Sequence, residues 1–203
     1  MSEWQGYVLD EHEFGFRPGW LVLDVGCGEG RQMEELRREG CSPVGIDIDS
    51  AALTRCRAQG LPVMLASAER IPMADASLDG IVCKVVLPYL AEDRAVGEFA
   101  RLLKPGGECY LVCHGAGFFL KYLLLPPSWK YRIYGLRALV NTWVWAATGR
   151  RLPGFLGDTI YQSRRRLARY YREHGLSLTH ETASAEFLGS PVFIYQRLKR
   201  DGA

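Results

Sequence analysis

A chain of 203 residues with 48% apolar side chains is long enough for one domain and too rich in core-forming residues to be disordered. Its formal net charge of +2 excludes a bulk polyanion or polycation, so any preference for charged partners must come from local patches. The six cysteines, at 27, 41, 56, 83, 109 and 113, form no CxxC and no Cys/His group with zinc-ligand spacing. That argues against a metal site and for reduced thiols in a cytoplasmic protein.

The first residues turn acidic at Asp10, Glu11 and Glu13 and carry no basic or apolar leader signature, so no signal peptide is expected. No uncharged apolar run reaches the ~18 residues of a spanning helix. Residues 20–25 (Trp-Leu-Val-Leu-Asp-Val) predict a buried strand ending in Gly-Cys-Gly-Glu-Gly. An amphipathic helix carrying Met33 and Leu36 follows and stops at Gly40. A second strand spans Pro43–Asp47, and Ser50 is read as the cap of a helix running to Gly60. Strands at Pro62–Ala66 and Leu78–Lys84 come next, then a helix over Glu92–Leu103. Lys104-Pro-Gly-Gly107 reads as a turn before a fifth strand, Glu108–Cys113. Cys109 and Cys113, four apart on that strand, are expected to face the same way, as core thiols.

Strands alternating with helices predict a parallel sheet covered on both faces. The rhythm breaks at residue 116. Residues 116–160 read as a helical insertion within a single domain spanning 1–203, with helices at Phe118–Leu125 and Ile133–Thr148. A helix from about Tyr161 to His174-Gly175 and strands at 176–183 and 191–199 close the chain.

The sharpest motif is Asp24-Val-Gly26-Cys27-Gly28-Glu-Gly30 between a strand and a helix. Glycines there let a ligand approach the backbone, and the helix N-terminus favours an anionic group. The GxGxG spacing differs from the GxGxxG of dinucleotide binders and disfavours a nicotinamide dehydrogenase. Asp47, at the end of the second strand, can accept hydrogen bonds from ribose hydroxyls. Lys84, at the end of the fourth strand, is either a solvated terminal lysine or the neutraliser of a carboxylate.

With Gly-Ile-Asp47-Ile48, Ser67-Ala68-Glu69-Arg-Ile-Pro, Leu-Asp79-Gly-Ile-Val and Arg101-Leu-Leu-Lys-Pro-Gly-Gly in order, the chain resembles the class I S-adenosylmethionine-dependent methyltransferases. It is most similar to their ubiquinone/menaquinone-type branch. The resemblance implies an α/β Rossmann-like fold with a seven-stranded, mostly parallel sheet whose last strand is antiparallel. It implies S-adenosyl-L-methionine as cofactor and S-adenosyl-L-homocysteine as product. The Gly26–Gly30 backbone would hold the methionine moiety, Asp47 the ribose, and Ile48 the adenine face. Ala68 and Glu69 would sit at the adenine edge, and Lys84-Val85 would pass the methionine end. Ser67 stands where the family often has Asp. Tyr7, in the N-terminal segment, is read as a residue that folds over the cofactor.

Residues 117–172 hold 11 Lys/Arg and only Asp158 as an acid, against 14 basic and 22 acidic residues elsewhere. They also hold 12 of the 23 aromatics. This segment is a lid over a greasy pocket, a surface resting on anionic lipid through 117–151, or a plain helical subdomain. The expected acceptor is hydrophobic, a small molecule or lipid-like, with an anionic group allowed. His114, at the end of the fifth strand, is the catalytic base on offer, and Tyr89 a substrate-orienting residue. Two alternatives stand beside this reading. One is a cofactor-binding protein without catalysis. The other is RNA methylation through the Arg164–Arg172 face, disfavoured because no RNA-binding module accompanies it.

Overall fold

The computed structural model describes residues 14–157 and 159–202. Its main sheet has seven strands: β1 (Leu21–Val25), β2 (Ser42–Asp47), β3 (Val63–Leu65), β4 (Leu78–Lys84), β5 (Leu103–His114), β6 (Leu176–Ala183) and β9 (Phe193–Arg200). They lie in the order β3-β2-β1-β4-β5-β9-β6, and β9 alone runs antiparallel to its neighbours. Between β6 and β9, β7 (Glu186–Phe187) and β8 (Ser190–Pro191) form a small hairpin that the sequence reading did not separate.

The pleat sorts side chains to two cores. Leu23, Ile81, Cys83, Cys109, Leu111 and Cys113 join one cluster; Val22, Val82, Tyr110 and Val112 join the other. Cys109 and Cys113 therefore share a face, as their spacing requires. Burial on both faces explains why the central strands read as nearly continuous apolar runs.

Helix α1 (Arg31–Arg38) buries Met33 and Leu36 and ends at Gly40, whose positive φ of 82° lets Cys41 N–H reach back to the Leu36 carbonyl at 2.9 Å. Helix α2 (Ser50–Ala58) is capped by Asp49, whose carboxylate accepts from Ala51 and Ala52 N–H. Ser50 is the first helical residue, not the cap; both types suit the position, and Asp49 holds the extended backbone that capping needs. The Lys104–Gly107 turn is absorbed into β5 as a bulge: Leu103 pairs with Leu78, and pairing resumes at Glu108 with Gly80.

Helix α3 (Glu92–Leu102) matches its predicted span. After β5 come α4 (Ala116–Leu124) and α5 (Trp129–Thr148), the latter starting four residues earlier than expected. The root of α4 is pressed against the β8 hairpin: a Cβ on Gly115 or Gly117 would meet the Pro191 or Ser190 carbonyl at 2.1 or 2.2 Å. Asn141 clamps α5 to the returning chain, donating to the Thr159 carbonyl and accepting from Leu152 N–H. Helix α6 (Arg164–Glu173) starts three residues later than Tyr161.

Candidate functional site

Strands β2 and β3 extend the sheet on one side of β1, and β4 and β5 on the other, so the connections reverse beside β1. The crevice outside the carboxyl ends of such strands is where open α/β sheets bind ligands. A cleft of about 410 Å³ lies there, and Gly26, Asp47, Ile48, Ala68, Lys84, Val85 and Tyr89 all line it.

The three loop glycines have different reasons to be glycine. Gly26, Gly28 and Gly30 all have positive φ (74°, 53° and 89°). A Cβ on Gly26 would meet Val86 at 2.4 Å, and one on Gly30 would meet Leu61 at 2.2 Å. At Gly28 there is open space within 4 Å, so its Cα surface is left clear for a ligand.

Asp47 is set by its backbone surroundings. One oxygen accepts Gly28 N–H at 2.8 Å and the other accepts Asp49 N–H at 2.9 Å. Each carboxylate oxygen keeps a further lone pair for a hydroxyl. Ile48 beside it is 78% exposed, an apolar surface in a cleft otherwise built of strand ends. Asp24 is 2% exposed and its Oδ2 has no hydrogen-bond partner among the described residues. Burial pushes its carboxyl up to about 7, with Lys84 pulling the other way and Asp47 adding to the rise. The Lys84 ammonium sits 5.3 Å over the Phe14 ring, so it is not a freely solvated strand-end lysine. Val85 holds φ 63°, a strained setting for a β-branched residue, with its N–H bonded to the Val112 carbonyl.

Other expected residues sit apart from the cleft. Cys27 turns inward onto Met33, Leu53, Cys56 and Leu61, where burial pushes its thiol up to about 12. Its N–H, like that of Gly26, is bonded to the Ile46 carbonyl. Glu69 points to the start of α3, accepting Ala91 N–H at 2.8 Å, and Ser67 accepts the Glu69 N–H. Tyr7 lies outside the described residues.

A second, larger pocket of about 720 Å³ adjoins the cleft through Tyr89, which lines both. Its walls are His114, Phe118, Tyr122, Trp129, Lys130, Tyr131, Ile133, Tyr134 and Arg137. The His114 ring is 5% exposed and stacks on Phe118 at 3.8 Å. Its Nδ1 has no partner among the described residues, and burial pushes its pKa down to about 3. Tyr89 and Tyr134 share a hydrogen bond of 3.2 Å between their hydroxyls. Burial pushes the Tyr122 and Tyr134 phenols up. Sequence reasoning named His114 and Tyr89 and, from the aromatics between 117 and 172, allowed a lid over a greasy pocket, but assigned no α5 side chain to its wall.

Of the arginine run, Arg166 is not on a solvated face. It grips the fully buried Glu92 through two bonds of 2.5 and 2.9 Å.

An orphaned buried carboxylate, an oriented ribose-type acceptor, an exposed apolar residue and a side-chain-free loop surface fit a cationic amino-acid nucleoside such as S-adenosylmethionine. Residues 23–111 match the family described as a methyltransferase domain. A ubiquinone biosynthesis O-methyltransferase from Hahella chejuensis is 35% identical over 58% of this chain and 50% of its own length. One from Alkalilimnicola ehrlichii is 36% identical over 61% and 50%. The chain thus spans about half the length of these curated relatives. Among solved structures, an S-adenosylmethionine-dependent methyltransferase from Methanosarcina mazei superposes with a TM-score of 0.68 at 21% identity, over 93% of this chain and 95% of that one; it shares the fold. Residues 23–111 are thus similar to the methyltransferase domain, about half of each ubiquinone biosynthesis O-methyltransferase is matched, and the chain shares the fold of a solved S-adenosylmethionine-dependent methyltransferase.

Proposed function

We propose that the chain methylates a hydrophobic small-molecule acceptor held in the aromatic pocket under α4 and α5. The observation that carries this is the shared wall: Tyr89 borders both the cofactor cleft and the acceptor pocket. The cofactor supplies an electrophilic methyl group when bound. Asp47 orients the nucleoside end, and the strained Val85 backbone lines the cleft beside it. Phe118, Tyr122 and Tyr134 exclude water from the acceptor.

His114 acts here as a hydrogen-bond acceptor rather than a strong base. An imidazole that protonates only near pH 3 is neutral at physiological pH, so it can receive a hydroxyl's hydrogen bond. It holds a transferred proton poorly. The cations of Lys130 and Arg137 in the wall suit an acceptor that reaches the site ionised, a phenolate or carboxylate, which needs no base. The relatives named for ubiquinone biosynthesis O-methylation support a phenolic acceptor.

Thermal unfolding with S-adenosylhomocysteine, S-adenosylmethionine and NAD in parallel tests the cofactor half. The first two should raise the midpoint and NAD should not, and Asp47→Ala should lose the shift. A screen of lipophilic phenols and acids for S-adenosylhomocysteine release tests the acceptor half. Cofactor binding with no turnover across that screen favours a binding protein without catalysis.

A further inference from the structure

We propose that the solvent-facing side of α5 docks on an anionic phospholipid bilayer, and that the acceptor pocket opens onto that docked face. Helix α5 buries Gly135, Arg137, Ala138, Asn141 and Thr142 against the protein. The opposite side should be polar if it only met water. Instead Trp129, Ile133, Leu136, Val140 and Trp143 are all exposed, the two tryptophans by 68% and 71%. At 100° per residue these five fall within about 40° of a single line, a stripe roughly 21 Å long. Leu124 and Leu125, at the end of α4 just before α5, are exposed as well.

The charge around the stripe selects the occupant. Residues 115–157 contain Lys121, Lys130, Arg132, Arg150 and Arg151 besides the buried Arg137 and no Asp or Glu, while the rest of the chain carries the acidic excess. Lys130 and Arg132 are exposed beside Trp129 and Ile133. An apolar stripe with tryptophan at both ends and a cationic border is what an interfacial helix presents to an anionic headgroup layer. Among the described residues no helix is long and apolar enough to cross a membrane, so α5 would lie on the surface.

The stripe also meets the pocket. Trp129 and Ile133 belong to both, so a docked chain turns the mouth of its apolar pocket toward the acyl layer, and a lipophilic acceptor passes in without crossing water. This second half rests on the methyltransferase reading above; the docking itself does not.

Sedimentation of the full chain with vesicles is the test. Vesicles of equimolar phosphatidylglycerol and phosphatidylcholine should retain it at physiological ionic strength, and phosphatidylcholine alone should not. The double variant Leu136→Ser/Trp143→Ser, outside both cavities, should lower retention by at least ~10-fold while leaving S-adenosylhomocysteine binding by calorimetry unchanged. Wild-type protein left in the supernatant with anionic vesicles overturns the proposal. So does a double variant retained like wild type, or a wild-type dimer that the variant converts to monomer, since a second copy then covers the stripe. Should the variant not fold, brominated anionic lipid must quench wild-type tryptophan emission, and unquenched emission refutes docking. Vesicle binding without any S-adenosylhomocysteine binding supports the docking surface and overturns only the route into the pocket.

Discussion

At the scale of single residues, Asp24 carries the clearest pH dependence. Its carboxyl titrates near 7 in the fold and near its ordinary 3.8 when unfolded, because burial disfavours the charge. Between those values the folded state holds a proton that the unfolded state has lost. Stability therefore falls as pH rises from about 4 to 7 and then levels off, by on the order of 4 kcal/mol at most. Asp24→Asn should flatten that slope in chemical denaturation followed across this range. A ligand's ammonium group brought near Asp24 favours its ionised form, so S-adenosylhomocysteine should bind wild type more tightly at pH 8 than at pH 6, and calorimetry on Asp24→Asn should show a smaller difference. His114 makes the contrasting case. If its proposed role is to accept a hydrogen bond, His114→Asn should cost less than ~10-fold in kcat with a phenol that turns over, where loss of a general base costs ~10²–10⁴. A larger loss would return His114 to the role of base. The acids at 24 and 47 were legible from their places at strand ends. The raised pKa of Asp24 and the depressed pKa of His114 were not, because both arise from burial, which for His114 depends on how Phe118, Phe119 and Phe193 fold over its ring.

Among the elements, the bond from α3 to α6 is the one most sensitive to change. Glu92 is wholly buried and Arg166 is its charged partner. Removing the carboxylate with Glu92→Ala leaves a largely buried guanidinium with the Tyr161 carbonyl but no counter-charge, which typically costs about 3–5 kcal/mol. Differential scanning calorimetry should show the midpoint falling by roughly 10 °C. An unchanged midpoint would mean Arg166 swings out to solvent at no cost. In sequence this arginine was one of the Arg164–Arg172 face weighed for RNA, since a helix pattern shows which side is charged and not which charge finds a partner 74 residues away. Local signals did better. The stop at Gly40, the span of α3 and the edge strand β6 all follow from short-range chemistry. The Ser50 cap failed by one position because Asp49 and Ser50 are both good caps, and only backbone conformation separates them. The early start of α5 was hidden because its first turn, Trp-Lys-Tyr-Arg, has no apolar rhythm of its own.

Across the whole molecule, the two cavities are built by different stretches of chain. Residues that line the cleft at the strand ends fall between Val25 and Leu90, and the aromatic pocket draws all its walls but Tyr89 from His114 onward. The parallel sheet and its reversal beside β1 were readable from the alternation of strands and helices, because each unit carries its own turn and cap chemistry. A greasy pocket under this segment was one of three readings its aromatics allowed, but its walls were not readable, since they form only where α4 and α5 cross, with Gly135 bringing their backbones so close that a Cβ would lie 2.7 Å from the Phe119 carbonyl. The two glycines at the root of α4 give this arrangement an evolutionary reading. Gly115 and Gly117 press the helices against the β8 hairpin at one fixed joint, so α4 and α5 hang from the sheet as a cassette held at a single socket. Recombination at such a joint can trade one acceptor for another while the half of the gene that encodes cofactor binding passes on unchanged.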